Sequence, residues 1–338
     1  MLNNFYIRPA DLDFVGSGLV RPECVLCCAD GSVYASHSGG GVTRIAADGR
    51  QQHILGNTLD QASTGVRNSP PVTVATNGFC LRRDGSFLCA NLQPPGGVWQ
   101  LERNGEQRPF WLEIDGYQPP SVNFVYEDNK QGRVWITVST RREPRSLGYR
   151  PDVDDGFIVL VDQRGARLVA DGLGFTNEAK LDPGGNWLYV NETFVRRTSR
   201  FKVASDGTLG QRETVAEYGP GTFPDGLDFD QQGGLWLTSV LSNRVIRLTP
   251  DGQQQILLEE NDPEQLQEIE TVYQAGQLDR PHMDTIRTEV MKSVSSLAFG
   301  GPDRKTVYLG NLLDQRLYCF RSPVAGIEPP HWSVRFAD

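Results

Sequence analysis

No stretch of this chain stays apolar over the roughly 20 residues that a membrane-crossing helix needs. Its opening, MLNNFYIRPADLDF, carries acidic side chains early and has no apolar core, so no secretory leader is read there and a cytoplasmic location is expected. Basic residues are outnumbered, 33 Lys and Arg against 42 Asp and Glu, and form no stripe. With a net charge of -9, no surface is available to neutralise phosphates, which excludes a nucleic-acid partner. There are only four histidines (His37, His53, His282 and His331), none in a recognisable constellation, and no G-x-S-x-G, so a nucleophilic triad is excluded. Glycine-rich phosphate and dinucleotide loops are missing as well. Cys24-x-x-Cys27 has no second pair or spaced histidines to complete a zinc site, and the six cysteines are read as reduced thiols, five of them on inner strands.

What is abundant is turn chemistry: 36 Gly and 21 Pro separate short alternating apolar runs. One unit recurs: a polar residue, a strand, an Asp/Gly-rich turn and a second strand. The copies are ECVLCCADGSVYAS from Glu23, NGFCLRRDGSFLCAN from Asn77, NFVYEDNKQGRVWITV from Asn123, FTNEAKLDPGGNWLYVN around Asn177, FPDGLDFDQQGGLWLTS around Asp225 and SSLAFGGPDRKTVYLGN from Ser295. The intervals between the polar residues are 54, 46, 54, 48 and 70. A second marker keeps phase with the first: Asp48-Gly49, Asn104-Gly105, Arg164-Gly165, Asp206-Gly207 and Asp251-Gly252 each sit where a tight hairpin would join two further strands. Four strands per repeat and six repeats predict an all-β, six-bladed β-propeller spanning residues 1–338 as one domain. The long last interval holds an insertion at about 259–292. There Asp262 is an N-cap, Pro263 fits the first helical position, and Leu266, Ile269 and Tyr273 share a face, so a short helix is expected over the face where the inner strands begin.

Each inner strand opens with one member of the set Glu23, Asn77, Asn123, Asn177, Asp225 and Ser295, and a pseudo-sixfold arrangement brings all of them to one mouth of the channel. Carboxylates gathered there would repel each other and lack water, and one cation answers both costs. Carboxylate and amide oxygens without Cys or His suit a hard ion, with Ca2+ first and Mg2+, Mn2+ or Zn2+ as alternatives. Glu23, Asn123, Asn177 and Asp225 are taken as the ligands, and Asn77 as a substrate or water contact.

The motifs RPECVLC, VNFVYEDNKQGRVWITV, TNEAKLDPGGNWLYVNET and FPDGLDFDQQGGLWLTS resemble the gluconolactonase and senescence-marker-protein (SMP-30, regucalcin-like) family of six-bladed propellers, over nearly the whole chain. The resemblance implies one divalent cation on Glu23, Asn123, Asn177 and Asp225, with Asp225 also the general base and Glu23 beside it in the catalytic pair. Animal lactonases of that family carry an Arg two residues before the third-blade Asn, where this chain has Ser121, so sugar specificity does not carry over.

The reaction expected is metal-dependent hydrolysis of a lactone. Alternatives are hydrolysis of an organophosphate at the same site, or a calcium-binding or interaction propeller without turnover. Strand order puts the loops after the second strands around the same mouth. The longest, STRREPRSLGYRPDVDD, offers Arg141 and Arg142 for an anionic substrate group, with Asn123 as a further substrate contact and His282 reaching down from the insertion.

Overall fold

The computed structural model describes residues 2, 5–58, 73–128 and 130–336. Within them the strands form six four-stranded sheets, each pair antiparallel and, in the first five, taken in chain order outward from the channel. The innermost strands are Val25–Cys27, Thr76–Leu81, Phe124–Asp128, Thr176–Leu181, Phe223–Phe229 and Val294–Gly300. The chain is a six-bladed β-propeller.

The sixth blade has only three strands of its own. Its outer edge is completed by Asp13–Val15 from the N-terminal region, which pairs with Leu317–Arg321, Asp13 lying opposite Cys319. Ladder hydrogen bonds between distant parts of the chain therefore hold the ring shut, with the short strand Asp13–Val15 as the blade's outer edge.

The five Asx- or Arg-Gly turns perform as their residues require: Gly49, Gly105, Gly165, Gly207 and Gly252 all have φ between 83° and 93°. L-residues avoid this region, and the preceding Asp or Asn side chain typically closes the turn, as Asp206 Oδ1 does by accepting from Thr208 N at 2.9 Å. The apolar core is divided among the blade junctions. Tyr34, Phe79, Phe87 and Trp99 fill the joint between blades one and two. Trp236, Phe299 and Tyr318 fill that between five and six. Trp99, Trp135 and Trp236 are fully buried, and truncating any of them to Ala is expected to cost about 3–5 kcal/mol. All six cysteines are free and buried.

The insertion forms two helices, α1 (Pro263–Gln274) and α2 (Arg280–Met283). Asp262 caps α1 by accepting from Gln265 N at 2.7 Å. Ile269 and Tyr273 are buried as the pattern predicts, whereas Leu266 stays half-exposed and Gln265 is buried, bonded to Thr285 O and Arg287 N. Tyr273 donates to Phe194 O at 2.5 Å, tying α1 to the loop after the second strand of blade four.

Candidate metal centre and substrate pocket

The ring residues sit where the inner strands break register. In blades two, four, five and six, two residues oppose one on the neighbouring strand: Asn77 with Gly78, Asn177 with Glu178, Asp225 with Gly226, and Ser295 with Ser296. Such a bulge re-aims a side chain that a regular pleat would send elsewhere. In blades one, four and six the residue two positions earlier adds a left-handed kink: Arg21 (φ 50°), Phe175 (φ 58°) and Ser293 (φ 62°). None is glycine, so each conformation costs roughly 1 kcal/mol or more and is held by its surroundings.

The hydrogen bonds of the ring separate ligand candidates from struts. Asn77 is fully committed: Nδ2 donates to Glu23 Oε1 at 2.8 Å and to Asn123 O at 3.0 Å, while Oδ1 accepts from Arg21 Nη1 at 2.8 Å. Ser295 donates to Glu23 O at 2.8 Å. Asn177 Nδ2 donates to Thr193 Oγ1 at 2.9 Å and to Asp225 Oδ1, which turns its carbonyl oxygen away from both. Three buried acceptors are then left without a protein donor: Glu23 Oε2, Asn123 Oδ1 and Asn177 Oδ1. They belong to three of the four residues expected to hold a cation, and the fourth, Asp225, is hydrogen-bonded to one of them. A buried acceptor without a donor costs about 1–3 kcal/mol, so three in one cavity fit a hard cation's oxygen set. With two carboxylates and two amides, the set lies outside the purely His, Cys, Asp and Glu clusters, of which the described residues hold none with three or more members.

Electrostatics point the same way. Burial pushes the Glu23 carboxyl up to about 7 against the pull of Arg21. Asp225 is raised well above the carboxylate range, first by burial and then by the charges of Glu23 and Glu178. Two such groups cannot both ionise cheaply without a positive charge between them, and a cation would restore both to the ionised form.

The pocket above the ring spans about 390 Å³ with its solvent-open part included. Apolar walls come from Tyr149, Phe175 and Phe194, whose rings pack at 4.4–5.2 Å, with Met283 of α2 beside them. Its cationic wall differs from the one expected. Arg141 is held by Asp171 at 2.8 Å and lies over the Phe157 ring at 4.3 Å, and Arg142 pairs with Asp155 at 3.2 Å; neither lines the cavity. His282 does not line it either, because its ring accepts from Asp279 N in the capping box of α2. The arginines that do line it are Arg21, Arg145 and Arg280.

Arg145 comes from the expected third-blade loop, in the 3-10 turn Arg145–Gly148, and Arg280 from the expected insertion. Arg21 had a readable signal: it stands two residues before a ring residue in RPEC, as Ser121 does before Asn123. Other polar residues of these loops support the backbone. Asn91 accepts from Ala75 N at 2.9 Å, Asn243 accepts from Val294 N at 3.0 Å, and Glu192 is taken by Arg197 at 2.6 Å and Gly174 N at 2.7 Å.

Residues 126–259 match the family model described as the SMP-30/Gluconolactonase/LRE-like region. Over that region the chain resembles the SMP-30/gluconolactonase family. It is 28% identical over 184 residues to a 6-deoxy-6-sulfogluconolactonase of Pseudomonas putida, covering 52% of this chain and 57% of that protein, so the match spans little more than half of either. It is 25% identical over 249 residues to a pentonolactonase of Haloferax volcanii, covering 73% of this chain and 70% of that one. Among solved structures, regucalcin of Agrobacterium tumefaciens, described as a calcium-binding protein, aligns over 96% of this chain and 98% of its own with a TM-score of 0.65; at 16% identity that likeness concerns the fold.

Proposed function

We propose that this propeller is a divalent-cation-dependent lactonase. The observation that carries the reading is the set of buried, donorless oxygens of Glu23, Asn123 and Asn177 gathered beside Asp225. Two relatives bear lactonase names, which favours a cyclic ester over other carbonyl substrates.

Glu23, Asn123, Asn177 and Asp225 would hold the ion, with calcium the first choice for an all-oxygen set. Bound there, the ion supplies Lewis acidity toward a carbonyl oxygen. The protein's own part is proton handling and orientation. Asp225 accepts a proton from the attacking water as the new C–O bond forms, and returns it to the ring oxygen as the ester C–O bond breaks, leaving an open hydroxy acid. Asn177 fixes the orientation of Asp225, and Asn77 fixes that of Glu23. Tyr149, Phe175 and Phe194 limit water around the reacting bond.

A panel of sugar lactones followed by acid release, with and without chelator, tests the proposal alongside calorimetric titration of the stripped protein with Ca2+, Mg2+, Mn2+ and Zn2+. The reading requires turnover that a chelator abolishes and cation restores. Cation binding without turnover of any lactone would leave a binding propeller instead.

A further inference from the structure

The cavity walls carry more positive charge than the ring requires. Arg21, Arg145 and Arg280 all line the space above Glu23 and Asp225. Once a divalent ion is neutralised by those two carboxylates, the guanidinium charges face a site that already holds a cation, an arrangement that like-charge repulsion disfavours. Arg280 is partly compensated by Asp284, which accepts from its Nε at 2.8 Å and pairs with it again at 2.8 Å. The other two are not: among the described residues no carboxylate lies within 4.0 Å of the guanidinium of Arg21 or Arg145.

Both are half-buried, and the Nε of each is buried without an acceptor. Arg21 spends Nη1 on Asn77. Arg145 donates Nη2 to Ser139 Oγ at 3.1 Å and rests 5.0 Å from the centre of the Phe175 ring, which fixes the guanidinium plane while leaving other donors open. Planar, pre-set guanidinium forks are suited to a carboxylate, sulfonate or phosphate.

We propose that Arg21, Arg145 and Arg280 form a subsite for an anionic substituent on the substrate, so that the lactone taken is one carrying a negative group away from its ring carbonyl. This rests on the lactonase reading, yet it can be tested apart from turnover. Unreactive ring mimics, 1,5-anhydro sugars ending at C6 in a hydroxyl, carboxylate, sulfonate or phosphate, are titrated calorimetrically into the Ca2+-saturated protein. The expected result is at least tenfold tighter binding of one or more anionic mimics than of the hydroxyl parent, and the comparison among the three identifies the anion.

R145Q should erase most of that preference and R145K should keep part of it. Should R145Q not fold, as judged by circular dichroism, R280Q serves in its place and should weaken the preference at least threefold. Equal affinity for neutral and anionic mimics overturns the subsite, and so does a preference that survives R145Q and R280Q together. In parallel, brisk turnover of neutral lactones with no anion preference would sink the subsite while keeping the lactonase. Anion preference with no turnover of any lactone would do the reverse.

Discussion

The two ends of the central channel are built from the same strands and treat polar groups in opposite ways. Strand Thr176–Leu181 brings Asn177 to one mouth with its carbonyl oxygen unpartnered. Three residues on, Lys180 stands between two carboxylates, 3.7 Å from Glu178 and 3.7 Å from Asp228. That second end holds a larger space, about 650 Å³ with its solvent-open part included, walled by Leu26, Phe79, Phe124 and Phe299 and bordered by Ile327, Pro329, Pro330 and His331. Glu127 in its wall pairs with Arg82 at 3.0 Å. The size of a cavity is thus a poor guide to chemistry here. What distinguishes the mouth is unsatisfied oxygen, whereas at the other end Arg82 and Lys180 answer the nearby carboxylates and His331 Nε2 is a buried atom without a partner.

The sharpest way to break this contrast is to neutralise the ring. D225N or E23Q should lower kcat/KM on a lactone roughly 10²–10⁴-fold, the usual worth of a general base or of a lost charge at such a site. E23Q should also weaken cation binding in calorimetry. If D225N keeps more than a tenth of the activity, Asp225 is not the base.

Next in size is the difference between ligand and strut. N177A removes an oxygen that faces the cavity, and cation affinity should fall about 10–100-fold, the range seen when metal-site residues or their supports are removed. N77A acts only by loosening Glu23, so its loss should be smaller, and the ratio of the two dissociation constants measures the distinction. Equal losses would make Asn77 a ligand after all.

In the core between blades one and two, changes should touch stability and leave the ring alone. Phe336 packs on Tyr34 at 5.9 Å and Phe87 at 6.3 Å and lies 3.9 Å beneath Arg103, so F336A should cost roughly 1–2 kcal/mol with cation affinity unchanged.

The two ends also answer pH with opposite sign. In stripped protein Glu23 keeps its proton up to about pH 7 against an ordinary 4.5, so its contribution is full below 4.5 and is lost as pH climbs toward 7. Burial, reinforced by the charge of Lys180, holds His331 neutral down to about pH 3 against an ordinary 6.5, so its contribution is full above 6.5 and is lost as pH falls toward 3. Melting temperatures from pH 4 to 8 should show Ca2+ removing only the upper decline and H331Q only the lower one.

Much of this was legible in the chain because local chemistry and global fold agree. The Gly turns, the alternating strands and the phase of the ring residues are all short-range signals. What escaped depends on reach. Asp13–Val15 is too short to register as a repeat, yet it completes blade six. Asn77 reads like any other ring residue until Glu23, 54 positions away, and Arg21 claim its amide. The third-blade loop was identifiable as a source of cationic side chains, but which arginine enters the cavity is decided by the acids that take its neighbours. Asp171, 30 residues on, takes Arg141, and Asp155 takes Arg142, leaving Arg145 to turn inward.

The smallest expected effect follows from that last point. Arg141 and Arg142 belong to the same loop as Arg145 but to the blade's own scaffold. Exposed or half-exposed pairs of this kind contribute about 0–1 kcal/mol each. Arg141 adds ring stacking on Phe157 and a bond to Asp155 O at 2.5 Å. A double R141A, R142A variant should therefore melt a few degrees lower, while its KM for a lactone stays within about twofold of the parent. A tenfold rise in KM at unchanged kcat would mean that this loop reaches substrate through more than one arginine, and that the boundary between scaffold and pocket lies further out than the ion pairs with Asp155 and Asp171 imply.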